Sequence, residues 1–299
     1  MKKLSSIIGI LLVTLICIHA QNKKLPKLTG PYLGQKPPGI APEIFAPGII
    51  SSEGVELCIS FSADGRECYF QRGRKILVTQ ERNGSWTPPE VASFSGIYPD
   101  GDPFLTIDGK KLFFTSERPI QKEDDPKKDT DIWYVKREGQ EWSEPVYLGN
   151  KVNTTNNERT PTIALDGTLY FHVFDGKNPC DLFYSNFENE KYSSPKPVIV
   201  LNTASGSEAD AYISSQKEFI LFLQDGISIS FADENGDWKI PIRLKDIIGS
   251  QYENTWPRVS PDEKYLFFSS FRPDPDHPNT RPPSIYWLSF EAILTEINQ

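Results

Sequence analysis

Histidine is scarce in this chain: three among 299 residues, at His19, His172 and His277. A histidine-rich metal centre needs several imidazoles converging on one ion, so that class of site is disfavoured. Cysteine is sparse as well, at Cys17, Cys58, Cys68 and Cys180, and the spacing matches no zinc motif. No cofactor fingerprint or Gly-x-Ser-x-Gly elbow is present. Past the N-terminus no apolar run is long enough to cross a bilayer. Helical periodicity is missing too. No stretch longer than about ten residues keeps a clean 3.6-residue period before the last ten, which excludes an all-helical fold. Basic charge is in deficit, with 32 Lys and Arg against 40 Asp and Glu and a net charge of -8. Such a chain is not expected to bind nucleic acid or an anionic membrane surface.

Aromatics make up 12% of the residues, alongside 25 Pro and 20 Gly. That mixture favours short strands joined by tight turns. The N-terminus has its own logic. Lys2 and Lys3 precede an apolar stretch from Ile7 to Ile16, and Ile18-His19-Ala20 ends on a small residue. Residues 1–20 therefore read as a signal peptide cleaved after Ala20, with export to the periplasm or the exterior. A lipoprotein anchored at Cys17 is the alternative, although Ile16 stands where a small residue is wanted. Cleavage would remove two lysines and no acid, taking the net charge from -8 to -10. Cys58 and Cys68 flank one expected hairpin. A disulfide between them stands beside the favoured reading of two small buried hydrophobes.

An internal repeat decides the fold class. The segments Ile59–Gly65, Pro103–Gly109, Pro161–Gly167, Ala211–Lys217 and Pro257–Glu263 align, each an extended run entering a turn. Asp-Gly in the first three is a strong two-residue hairpin signal. An apolar doublet comes after each turn: Tyr69-Phe70, Phe113-Phe114, Tyr170-Phe171, Leu221-Phe222 and Phe267-Phe268. A third strand comes next, then a Gly or Asn turn with an aromatic and a proline, as in Gly84-Ser-Trp86-Thr-Pro88. The turn positions Asp64, Asp108, Asp166, Gln216 and Asp262 lie 44, 58, 50 and 46 residues apart. Four short strands at that period make a propeller blade, and consecutive apolar residues suit sheets buried on both faces.

The fifth repeat lacks its last strand, and Pro42–Pro47 resembles the missing piece. The expected fold is all-β: a five-bladed β-propeller closed by an N-terminal strand on the last blade, with a six-bladed ring as the alternative. The expected organisation is a signal peptide (1–20), an N-terminal segment with the closing strand (21–52), the repeats (53–290) and a C-terminal tail (291–299).

The blocks Phe113–Pro119 with Asp131-Ile-Trp133, and Phe267–Pro273 with Ile285-Tyr286, resemble the WD40-like repeats of TolB-type propellers. Ser260-Pro-Asp262 is similar to the most typical turn of that family. The resemblance covers residues 53–290. It implies a module of the bacterial envelope that binds a protein, peptide or glycan partner. Separately, the chain is expected to have no membrane span and to be a monomer.

Loop lengths favour one face. The turns between first and second strands are short. The loops Glu117–Thr130, His172–Pro179 and Phe271–Pro283 are long and share the other face, where binding groups collect. Asp124, Asp125 and Asp129 lie in the first of these among lysines and read as a solvated loop rather than a calcium site. His172 reads as a cap on an aromatic cluster and His277 as a solvated loop residue.

Eight residues before each turn position stand Glu56, Asp100, Glu158, Glu208 and Asn254, with Glu253 adjoining the last. Placed at the entry to the innermost strands, they are expected to ring the mouth of the central channel. Such acids can equally brace the blades. Asp102, Arg159, Asp210, Glu253, Trp256 and Arg258 are the candidate ligand contacts, some of them departures from the repeat. The main functional reading is non-enzymatic binding, with no metal and no cofactor. The alternative is a carbohydrate-active hydrolase or lyase using Asp100, Glu158 and Glu208 as acid and base.

Overall fold

The computed structural model describes residues 27–52, 54–121, 129–199, 201, 206–249, 251–273 and 283–298. The expected signal segment, Cys17, Asp124, Asp125 and His277 lie outside the described residues. Among the described residues five antiparallel sheets form the blades of a β-propeller, and Phe187–Glu188 with Lys191–Tyr192 makes a separate two-stranded hairpin. In blade 1 the strands run outward from the axis as Glu56–Phe61, Glu67–Arg72, Lys75–Arg82 and Glu90–Val91. The innermost strands of blades 2 to 5 are Asp100–Leu105, Asn157–Ile163, Ala209–Ile213 and Asn254–Val259.

The apolar doublets show why this sequence builds blades. Neighbouring residues of a strand point to opposite faces of its sheet. Phe113 packs in the seam between blades 2 and 3, and Phe114 packs in the seam between blades 1 and 2. Tyr69 and Phe70, Tyr170 and Phe171, and Phe267 and Phe268 divide in the same way. Each inter-blade seam thus has its own hydrophobic cluster. Burying one such ring contributes roughly 1.5–3 kcal/mol.

The ring closes where the sequence leaves a strand missing. Glu43–Ile44 pairs antiparallel with Ser284–Ser289 as the outermost strand of blade 5. Phe45 then enters the seam between blades 5 and 1. It meets Phe61, Phe267 and Trp287 at ring-centroid separations of 5.9, 5.1 and 5.0 Å. Tyr32 tightens the same seam, its hydroxyl donating to Asp262 Oδ1 at 2.9 Å. Among the described residues the N-terminal segment supplies this strand and one short 3-10 turn, not a sixth blade.

Two local expectations change, and the favoured reading of the cysteine pair holds. The Asp-Gly turns are wider than two residues: in blade 1 the Ser62 N–H bonds the Glu67 carbonyl, and Gly65 sits at φ 66° behind Asp64. The same left-handed place is taken by Lys217 and Glu263 in blades 4 and 5. The C-terminal tail carries a helix, Phe290–Ile297, whose Phe290 and Ile293 are buried in the seam between blades 4 and 5. Cys58 and Cys68 are both free and buried. Cys68 faces Phe61, three residues along the strand from Cys58, too far for a disulfide.

Candidate functional site

The acids eight residues before each turn are buried inside the blades and do not ring an open channel mouth. Glu56 accepts from Arg72 Nε at 2.9 Å and from Ser52 Oγ at 2.6 Å. Asp100 accepts from Arg118 Nη2 at 2.9 Å and from Ser95 Oγ at 2.8 Å. Glu208 accepts from Gln224 Nε2 at 2.7 Å, and Asn254 Oδ1 accepts from Arg272 Nη2 at 3.3 Å. In blade 3 the residue paired with Glu158 is Val173, which has no polar side chain to offer. There Glu158 accepts from Thr154 Oγ1 at 2.6 Å and Thr154 N at 3.1 Å. Burial pushes the Glu158 carboxyl up to about 7, against the pull of those two bonds. Glu56, Asp100, Glu158 and Asn254 fasten their innermost strands to the loops before them, and Glu208 is held to the end of its blade's second strand.

The channel is lined two residues later. Every innermost strand breaks register there, between Leu57 and Ile59, Gly101 and Phe104, Arg159 and Thr162, Ala209 and Tyr212, and Thr255 and Arg258. Cys58, Asp102, Thr160, Asp210 and Trp256 take positive φ at these bulges. A bulge re-aims a side chain, and Pro103, Pro161 and Pro257 fit behind it because a bulge needs no ladder donor.

The re-aimed groups bond one another around the axis. Trp256 Nε1 donates to Asp102 Oδ1 at 2.9 Å. Blades 5 and 2 are not neighbours in the ring, so this bond spans the channel. Asp102 Oδ2 accepts from Thr115 Oγ1 at 3.0 Å and from Thr160 N at 3.4 Å. Trp256 N donates to Asp210 Oδ2 at 3.2 Å. Asp210 N in turn donates to His172 Nδ1 at 3.2 Å, and Thr160 Oγ1 lies 2.9 Å from the same nitrogen. Nδ1 is thereby an acceptor, which leaves the proton of the neutral ring on Nε2.

This enclosure sets the titration of the network. Burial, reinforced by the charge of Asp102, pushes the Asp210 carboxyl up to about 7. Burial also lowers His172 to about 4, so the ring is neutral at physiological pH.

Above the network lies a cleft with two lobes of about 270 and 240 Å³ that share Asp102, Arg159 and Trp256. The first also reaches Asp100 and Glu117; the second reaches Thr160, His172, Asp210 and Glu253. Arg159 and Glu253 are exposed, and neither side chain has a hydrogen bond or ion pair with a described residue. Trp256 is half-buried between them.

Five of the six expected contact residues, Asp102, Arg159, Asp210, Glu253 and Trp256, thus meet at one cleft on the loop-rich face. Arg258 does not: it is buried and lines a cavity at the opposite end of the channel. Thr160 and His172 join the cleft without having been singled out for it. Aligning the repeats six residues before each turn, rather than eight, picks out Thr160. His172 is brought in from the second strand of blade 3 and carries no such mark. Among the described residues no group of acids, histidines or cysteines is arranged to hold a metal ion.

No family model matches the chain, and no curated protein matches it. Solved structures do. A putative TolB from Agrobacterium tumefaciens shares 13% identity at a TM-score of 0.51, over 79% of this chain and 91% of that one. The fold is that of a TolB-like β-propeller. TolB from Acinetobacter baumannii aligns at 15% identity and a TM-score of 0.47, over 81% of this chain and 56% of its own. A gluconolactonase from Xanthomonas campestris aligns at 10% identity and a TM-score of 0.47, over 79% and 86%. A propeller fold by itself does not name a function. Among the described residues no helix is long and apolar enough to cross a membrane.

Proposed function

We propose that the chain is an exported, non-enzymatic binding module of the bacterial envelope. It takes a polar chain end, from a peptide, protein loop or glycan, into the cleft around Trp256. The observation that carries this reading is the set of unengaged groups there: the Arg159 guanidinium, the Glu253 carboxylate and the His172 Nε2–H beside a half-buried indole. An aromatic face flanked by both charges suits a polar ligand with a flat apolar surface. Export rests on the N-terminal sequence.

The acids Asp100, Glu158 and Glu208 support this reading by what they are bonded to. Each is held within its own blade, and a glycosidase pair must face a common substrate. Glycan and peptide arrays probed with residues 21–299 test the proposal. Retention on one class of ligand, lost in Trp256→Ala and weakened in Arg159→Ala, is the expected result.

One observation favours an enzyme instead. Asp210 titrates near neutrality beside a neutral imidazole in the same cleft. Turnover of any arrayed glycan, abolished by Asp210→Asn, would replace the binding reading with a hydrolase or lyase.

A further inference from the structure

Blades 2 and 3 leave a groove of about 580 Å³ between them. That volume falls within the range of small-ligand sites, roughly 300–1,000 Å³. One wall is built on the paired strands Lys111–Ser116 and Asp131–Glu138 of blade 2. The other is the hairpin of Phe187–Glu188 with Lys191–Tyr192. Lys151, in the connection between the two blades, also lines it. No residue of an innermost strand does, so the groove lies away from the axis and shares no residue with the Trp256 cleft.

The charge of this lining runs against that of the chain. Lys111, Lys136, Lys151 and Lys191 are set against one acid, Glu190, whereas acids outnumber bases 40 to 32 in the whole sequence. None of the four ammonium groups has a hydrogen bond or ion pair with a described residue. Lys111 and Lys136 stand directly opposite each other on their paired strands. Like charges placed so are destabilising. Both ammonium groups lie over the Tyr134 ring, at 5.5 and 6.0 Å from its centroid, and Lys111 Nζ is 5.2 Å from that of Phe187. The rings thereby hold two cations at the groove without neutralising them. An anion in the groove would neutralise them.

The same lining selects among anions. It has no arginine fork to grip a single phosphate or carboxylate through two parallel bonds. Point charges on four separate stems suit a polymer with acid groups at intervals. Tyr134, Phe187 and Tyr192 are half-buried beside them, and the last two rings lie 5.0 Å apart. The C–H faces of sugar rings pack on such aromatic surface. Burial raises the Tyr192 phenol, so its O–H stays a donor for a sugar hydroxyl. The net charge of -8 repels a densely charged nucleic acid more than a glycan with one acid per sugar.

We propose that this groove binds an acidic glycan, its carboxylates on the lysines and its sugar rings against Tyr134, Phe187 and Tyr192. The site stands whether or not the Trp256 cleft binds a ligand.

Calorimetric titration of residues 21–299 with an alginate hexasaccharide, and with the same hexasaccharide after reduction of its carboxyls to alcohols, tests the assignment. The acid form should bind saturably and the reduced form about tenfold more weakly, the loss expected when a few exposed ion pairs are removed. Added salt should narrow that gap. Lys111→Gln combined with Lys136→Gln should abolish the preference for the acid form. Lys191→Gln changes an exposed side chain, so it serves if the double variant fails to fold; it should weaken the acid form roughly twofold. Phe187→Ala should weaken both forms alike. Absence of saturable binding, or equal binding of the two forms, would overturn the proposal. So would unchanged binding in the lysine variants. A thymidine oligonucleotide with as many phosphates that binds more tightly than the acid hexasaccharide would replace the glycan with a nucleic acid. Binding lost in Trp256→Ala but kept in the lysine variants would move the glycan to the cleft.

Discussion

Two residues apart on the same five strands, two rings of side chains do different work. The outer ring, Glu56, Asp100, Glu158, Glu208 and Asn254, is bonded into the blades. The inner ring, Cys58, Asp102, Thr160, Asp210 and Trp256, faces the channel and bonds across it. Residues two apart on a regular strand point the same way. The bulge between them breaks that rule in every blade, turning one ring toward the structure and the other toward the axis. A row of acids on a propeller strand therefore does not imply an acidic channel until the pleat has been traced past the bulge.

The contrast can be broken most forcefully at Asp100. Asp100→Ala leaves the buried Arg118 without a carboxylate, with Ser116 Oγ and the Phe94 carbonyl as its hydrogen-bond partners among the described residues. The expected cost is about 3–5 kcal/mol, read by denaturant unfolding. If the variant unfolds within 1 kcal/mol of the parent (roughly the ordinary scatter of surface changes), the bracing role of the outer ring is wrong.

A pH series separates the two rings next, because each holds one acid that burial raises to about 7, Glu158 outside and Asp210 inside. Between the unfolded carboxyl values and about 7 the folded chain holds protons that the unfolded chain has released. Stability should therefore fall as pH rises from about 4 to 7 and level off above. Glu158→Gln and Asp210→Asn should each flatten part of that slope, by on the order of 2 kcal/mol across the window, and the double variant most of it. His172 contributes with the opposite sign. Its pKa is lowered to about 4, so stability is lost as pH falls from about 6.5 toward 4. His172→Gln should remove that acid-side loss in the same titration.

Trp256→Ala should cost less stability, about 1–2 kcal/mol for the lost bond to Asp102, while removing most ligand retention. Arg159→Ala should be the mildest in stability, within about 0.5 kcal/mol, because the side chain is exposed and has no partner among the described residues. Its effect should show only in ligand binding. A large destabilisation there would mean that Arg159 is a brace rather than a contact.

Much of the architecture was legible because it repeats. The doublets Phe113-Phe114 and Tyr170-Phe171 announced sheets buried on both faces, and Pro42–Pro47 announced the closing strand, which the structure places at Glu43–Ile44. The site was legible only in part. Asp102, Arg159 and Asp210 stood out as departures from the repeat, and all three line one cleft. Arg258 stood close to Trp256 in sequence, yet it is buried past the bulge, beside the cavity at the other end of the channel.

Hydrophobic period and turn chemistry are local, so the sequence by itself determined the repeat, the strand order within each blade and the need for a borrowed strand, while the structure settled the count at five. Which carboxylates are braces and which face the channel was decided by tertiary structure alone. That choice depends on register breaks and on partners such as Arg118, Gln224 and Thr154. It also depends on His172 lying across from a neighbouring blade. Only folding brings such partners within hydrogen-bond reach.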